Sequence, residues 1–163
     1  MAVVVEIAVE SEAWQQMSGA ERTVRQAIEA AVSDAGPASA EVGVVLTDDA
    51  RIRDLNRTWL GSDKATNVLS FPAPDKSPPS DTKFLGDVVF ALETIRREAD
   101  DEQKSFERHL AHLAVHGALH LLGFDHVGDQ DAEAMEERER QILARLGIPD
   151  PYAPSGESRT EPA

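Results

Sequence analysis

The apolar positions of this chain change period along its length, and the changes mark its elements. VVVEIAV (3–9) and AEVGVVLT (40–47) are apolar, β-branched runs of strand length. Between them, residues 18–36 have a helical pattern. Ser18 and Glu21 stand at the spacing of a capping box, and Gly36-Pro37 closes the segment. Thr47-Asp48-Asp49 reads as a second helix start, with acids in the first turn and a run to Gly61. NVLSF (67–71) and FLGDVVFAL (84–92) are two further strands, joined by a proline- and serine-rich stretch (72–83) expected to be a mobile loop. From Glu93 the pattern is helical again, with a break expected near Asp100–Lys104. Ser105 is the N-cap candidate of a central helix and Gly123 its stop. A last helix, near Asp131–Leu146, would turn Ala132, Met135, Ile142, Leu143 and Leu146 inward and its glutamates outward, ending at Gly147 and Pro149. The pattern predicts an α+β fold: about four strands in a mixed sheet and four to five helices. Residues 1–150 form one domain and 151–163 a disordered tail.

Composition narrows the chemistry. At 163 residues one domain can bury a real core, and with no cysteine any metal must be held by nitrogen or oxygen. MAVVVEIAVESEAW lacks a basic leader and reads as a strand, not a signal peptide. No apolar stretch approaches the roughly 20 residues that span a bilayer, so a cytoplasmic protein with no membrane partner is expected. The net charge of −14 argues against polyanions, yet it is uneven. Between Arg51 and Arg97 eight basic side chains face six acidic ones, so that segment is +2 and the remainder −16. Phosphate contacts need local cations only.

The candidate chemistry lies in HGALHLLGFDH (116–126). His116 and His120, four apart on a helix, share one face and can bind a single ion. Gly123 permits a turn that returns His126 to the same point. Three histidines leave a fourth position open, the arrangement of a catalytic zinc; the bland alternative is three hydrogen-bonded core histidines. His109 and His112 lie on the same side. His109 is expected to be exposed or to support the ligands, and His112 to support them or face RNA. Apolar residues almost all round mark this helix as the buried spine. Gly117, which costs a helix roughly 0.5–1 kcal/mol against alanine, implies close approach of another backbone or room beside the metal. The spacing matches the metzincin peptidase pattern H-E-x-x-H-x-x-G-x-x-H, but Gly117 replaces its glutamate base, leaving peptidase as a remote alternative.

HGALHLLGFDH resembles the H-G-x-L-H-L-x-G-Y-D-H hallmark of the YbeY family of bacterial single-domain metal-dependent endoribonucleases. LNRTWLGSDKATNVLSFP is similar to that family's L-N-x-x-[YW]-R-x-x-D-x-P-T-[DN]-V-L-S-F-P segment, LGDVVF to its L-G-D-[IV] strand, and EAMEERERQILARLGIPDPY to its C-terminal helix. The likeness spans roughly Ile7 to Tyr152. It implies an α+β fold and one Zn2+ on His116, His120 and His126. It further implies single-strand-specific cleavage in ribosomal RNA maturation, at the small-subunit 3′ end, and ribosome quality control. The implied partners are ribosomal RNA, small-subunit proteins and a ribosome-assembly GTPase; DNA is not expected. Three positions depart from the pattern. Leu60 stands where the family arginine is implied to contact phosphate, with Arg57, three residues earlier, a possible substitute; Phe124 replaces tyrosine, and Ala65 replaces proline.

A zinc ion on three neutral imidazoles could polarise a phosphodiester oxygen while a 2′-hydroxyl attacks, or activate water; neither needs the missing glutamate. Asp125 is a candidate acceptor orienting an imidazole, or a turn cap. Lys64, Arg57 and Ser70 are candidate phosphate contacts, and Asp87 a candidate brace or a structural strand-end residue. With 5% aromatic residues, binding should rest on shape and phosphate more than on stacking. The second functional reading is a ribosome-assembly binding factor that keeps the zinc site but cleaves weakly, motivated by Leu60.

Overall fold

The computed structural model describes residues 2–74, 82–125 and 127–152. In chain order these form β1 (Ala2–Val9), a short 3-10 helix (Glu12–Gln16), α1 (Ala20–Ala35), β2 (Ser39–Thr47), α2 (Asp49–Leu60), β3 (Val68–Pro72), β4 (Lys83–Ala91), α3 (Leu92–Asp101), α4 (Phe106–Leu121) and α5 (Asp129–Arg145). The four strands make one mixed sheet in the order β1-β2-β4-β3, with β1, β2 and β4 parallel and β3 antiparallel to β4. The α+β expectation holds. No helix among the described residues is long and apolar enough to cross a membrane.

Two apolar layers follow from strand alternation. Val88 and Phe90 of β4, with Val42, Val44 and Leu46 of β2, enter the main core, where α1 and α4 pack. Val89 and Ala91 point the other way, onto Ile52 of α2 and Leu69 of β3. Helix α4 carries the main core: Leu110, Ala114, Val115, Ala118 and Leu119 are fully buried.

Several ends differ from the sequence expectation. Helix α1 starts at Ala20 with Gly19 as its N-cap at φ 80°, and no side chain caps it, so the Ser18–Glu21 capping box does not form. The left-handed Gly19 carries the chain into the first turn and leaves Ser18 outside it. The 3-10 helix was not anticipated; it seats Trp14 in the core, with Nε1 donating to the Thr47 carbonyl at 2.8 Å. Strand β4 runs directly into α3. The cap read from sequence at Ser105 forms, its hydroxyl accepting from the Arg108 N–H at 3.1 Å, and within the helix start expected at 47–49 it is the Asp48 carboxylate that caps α2, accepting from the Arg51 N–H at 2.8 Å. Of the loop expected to be mobile, 75–81 lies outside the described residues, as does 153–163 of the tail. Pro151 and Tyr152, assigned to that tail, instead form a turn held against the body. The outward glutamates of α5 need one correction: Glu139 is fully buried.

Candidate metal centre

Helix α4 lies close on the sheet because Gly117 has no side chain. A Cβ there would meet Val88 Cγ1 at 2.7 Å and Ser70 Oγ at 3.2 Å. The Ser70 hydroxyl donates to the Gly117 carbonyl at 2.9 Å. The position that bears a catalytic glutamate in metzincins is therefore turned into the sheet. Four histidines lie along the adjacent face of α4: His109, His112, His116 and His120.

The helix ends in a Schellman turn. Gly123 takes φ 99°, with Phe124 N–H on the Leu119 carbonyl at 3.0 Å and Gly123 N–H on the His120 carbonyl at 3.1 Å. That turn brings the Phe124 carbonyl back to accept a hydrogen bond from His120 Nδ1 at 3.0 Å. Helix α5 brings Glu139, whose Oε2 accepts from His116 Nδ1 at 2.5 Å and whose Oε1 accepts from His112 Nε2 at 3.0 Å and from the Tyr152 hydroxyl. Burial alone would raise the Glu139 pKa. The hydrogen bonds from His112, His116 and Tyr152 outweigh it and hold the carboxyl at about 2. Burial first, then the Glu139 carboxylate, raises the Tyr152 phenol well above its usual range.

These acceptors set the tautomers. With both Nδ1 atoms donating, His116 Nε2 and His120 Nε2 turn lone pairs toward each other, 3.1 Å apart. Two facing lone pairs repel unless a proton or a cation lies between them. A tetrahedral ion with bonds of about 2.0–2.1 Å would set its two nitrogens roughly 3.3 Å apart. The pair thus suits a cation, and each ring is already braced at its far nitrogen as metal-ligating imidazoles are. Among the described residues no group of three histidine or acidic side chains converges on one point. His126, the third expected ligand, lies outside the described residues.

The pair opens on a cleft of about 610 Å³ between α4 and β3, with Leu60, Asn67, Ser70, Phe124, Asp125 and Tyr152 among its walls. No lysine or arginine is among the described residues that line it. Arg57 is not brought there: it pairs with Asp54 and lines a separate depression with Arg51 and Arg53. Lys64 is exposed and does not line the cleft; its carbonyl accepts from Asn56 Nδ2 at 3.0 Å. Leu60 does line the cleft, and is 59% exposed. Asp125 is exposed on the wall, while the Phe124 carbonyl and Glu139 orient the imidazoles of His120 and His116. Asp87 lies on the other sheet face, against Gly43. His109 is buried, not exposed, at 2.8 Å from Glu98, which also accepts from the cleft residue Asn67.

Glu139 and Tyr152 are the site residues missed from sequence. Glu139 had a signal: it lies four residues after Met135 and three before Ile142, on the apolar stripe of α5. Tyr152, the chain's single tyrosine, closes the EAMEERERQILARLGIPDPY segment of the family resemblance but carries no pattern of its own that places it at the site.

The family model described as Endoribonuclease YbeY matches residues 6–147. A protein from Rhodopseudomonas palustris named Endoribonuclease YbeY is 55% identical over 91% of this chain and 80% of its own length. One of the same name from Nitrobacter winogradskyi is 54% identical over 93% of this chain and 83% of its own. The solution structure of a Thermotoga maritima protein superposes with a TM-score of 0.53 at 20% identity, covering 96% of this chain and 98% of that one, a likeness of fold alone. By its sequence and the extent of the match, the chain belongs to the Endoribonuclease YbeY family.

Proposed function

We propose that this chain is a zinc-dependent endoribonuclease that cuts single-stranded segments of ribosomal RNA, acting at the small-subunit 3′ end and in ribosome quality control. The observation that carries the metal is the pair of Nε2 atoms of His116 and His120, facing each other with both Nδ1 atoms tied to acceptors. The nuclease activity is taken from relatives that carry that name across most of the chain. His126 would complete the ligand set. When bound, the ion would supply a Lewis-acidic positive charge to a scissile phosphodiester.

The chain's own residues do the rest. Glu139 stays ionised and keeps the proton of His116 on Nδ1, and the Phe124 carbonyl does the same for His120. The Ser70 hydroxyl, spent on the Gly117 carbonyl, fixes α4 against the cleft floor and is not available as a phosphate donor through that hydrogen. Leu60 and Phe124 offer apolar walls to a base or ribose. The partners that go with this reading are ribosomal RNA, small-subunit proteins and an assembly GTPase, in the cytoplasm.

One observation favours a second reading, an assembly factor that cleaves weakly: Leu60 lines the cleft where the family pattern has arginine, and Arg57 lies elsewhere. The deciding experiment measures bound metal and cleavage of a structured ribosomal RNA fragment by wild type, H120A and L60R. Cleavage by wild type that H120A abolishes is the expected result. Cleavage by L60R alone would favour the assembly factor, and no metal with no cleavage by any variant would overturn the nuclease.

A further inference from the structure

The segment after α5 is tied down by contacts the proposed chemistry does not need. Gly147 turns the chain at φ 79°, and the Ile148 N–H bonds the Leu143 carbonyl at 2.9 Å. Arg140 Nε donates to Asp150 at 3.2 Å, Lys104 Nζ to the Pro151 carbonyl at 3.3 Å, and the Tyr152 N–H to Asp150 at 2.8 Å. The Arg140 guanidinium sits 5.6 Å from the centre of the Tyr152 ring. These contacts set the ring edge-on to His112, centroids 5.2 Å apart, and aim its hydroxyl at Glu139 Oε1, with His112 Nε2 at 3.1 Å.

A carboxylate held by one oxygen can swing about its last torsion. Here Oε1 is engaged from two sides, by Tyr152 and His112, and only Oε2 is left to His116. We propose that Tyr152 is a positioning residue: its hydroxyl pins Glu139 so that Oε2 holds His116 in the tautomer whose Nε2 faces His120. Tyr152 acts through Glu139 and touches neither of the paired nitrogens. The inference rests on the reading of that pair as a metal centre. Such outer partners typically change metal affinity 10–100-fold. Since the hydroxyl acts one bond farther out than Glu139, removing it should cost about tenfold, the lower end of that range.

The test uses the full chain as wild type, Y152F and Y152A. Phenylalanine keeps the ring against His112 and Arg140 and removes only the hydroxyl. Zinc affinity is read by competition with a chelating dye, and the His116 tautomer in metal-free protein by the 15N shifts of its ring. The expected result is about tenfold weaker zinc binding by Y152F, with His116 shifting from a pure Nδ1–H tautomer to a mixture. Wild-type affinity and tautomer in Y152F, with both lost only in Y152A, would mean that the ring packs and the hydroxyl does nothing, overturning the proposal. If wild type itself takes up no zinc, the metal reading has failed. The tautomer comparison between wild type and Y152F then decides the positioning role alone.

Discussion

Replacing Gly117 by alanine tests how tightly the histidine helix is held on the sheet. The added methyl would lie 2.7 Å from Val88 Cγ1, well inside contact distance, and 3.2 Å from Ser70 Oγ. Val88 cannot easily yield: it is fully buried and belongs to β4, between β2 and β3. Overpacking of this kind costs about 1–3 kcal/mol. Removing a mid-helix glycine returns about 0.5–1 kcal/mol. The net expectation is a loss centred on about 1 kcal/mol and at most about 2.5 kcal/mol, a central fall in Tm of roughly 2–4 °C for a chain of this size. The assay is thermal and urea unfolding of G117A, V88A and the double variant. V88A alone leaves a cavity, but together with G117A it removes the clashing methyl, so the double variant should be less destabilised than the two losses added. A coupling of about 0.5–3 kcal/mol is the usual size for residues in contact. A G117A protein more stable than wild type, showing the glycine return with no clash to offset it, would refute the close approach. Strict additivity would show that Val88 is not what the methyl meets.

Two further outcomes follow from charges placed by the fold. L60R should add one phosphate contact at the cleft rim, steepening the dependence of log K on log salt for a single-stranded RNA by about 0.7; fluorescence anisotropy across a salt series checks it, and an unchanged slope means the rim does not meet phosphate. The largest influence on Asp34 is the hydrogen bond from Arg138 at 2.7 Å; with Arg145 at 2.5 Å it outweighs burial and lowers the carboxyl pKa below 3.8. Because the folded pKa is the lower one, the stabilisation is fully present above the unfolded value and is lost as pH falls through the folded one. The gap in urea midpoint between wild type and D34N should therefore be wide at neutral pH and narrow below about pH 4, and a constant gap would contradict the clamp between α1 and α5.

Helix α4 is legible in the sequence because several local signals agree: a serine cap at Ser105, apolar positions almost all round, and a glycine stop at Gly123. The histidine pair inherits that legibility, since a spacing of four fixes a shared face. The start of α1 is not legible, because Ser18 and Glu21 have the right spacing while the left-handed Gly19 decides where the helix begins. Glu139 is hidden for a different reason. A glutamate in the charged sequence EERER reads as solvated; only the α4–α5 packing reveals that its position on the stripe faces three donors. Tyr152 is further still from sequence reasoning. Its proline-rich surroundings look like a tail, and what anchors it is supplied by Lys104 and Arg140, 48 and 12 residues earlier. Sheet order is likewise tertiary: nothing local states that β4 passes β3 to lie beside β2.

The charge distribution constrains how RNA could reach the proposed centre. The chain carries −14, and the described cleft walls offer Asp125 but no lysine or arginine. The arginines of α2 are turned to another surface and paired with Asp54 and Asp63. Long-range steering of a polyanion into the cleft is therefore weak, and moderate salt screens repulsion as well as attraction. On the proposed reading, a strand is held by its bases and riboses on the walls formed by Leu60, Asn67 and Phe124, with positive charge supplied by the ion that the histidine pair would hold. That geometry favours a flexible single strand, whose bases can turn to the walls, over a duplex, whose bases are stacked inward behind two rows of phosphate. Leu60 would then do more than lack a charge: it makes the rim apolar and shifts selection from phosphate to base. Among the described residues, the half-buried pair of His116, braced by Glu139, and His120, braced by the Phe124 carbonyl, is where the fold sets two nitrogen lone pairs facing each other for a cation.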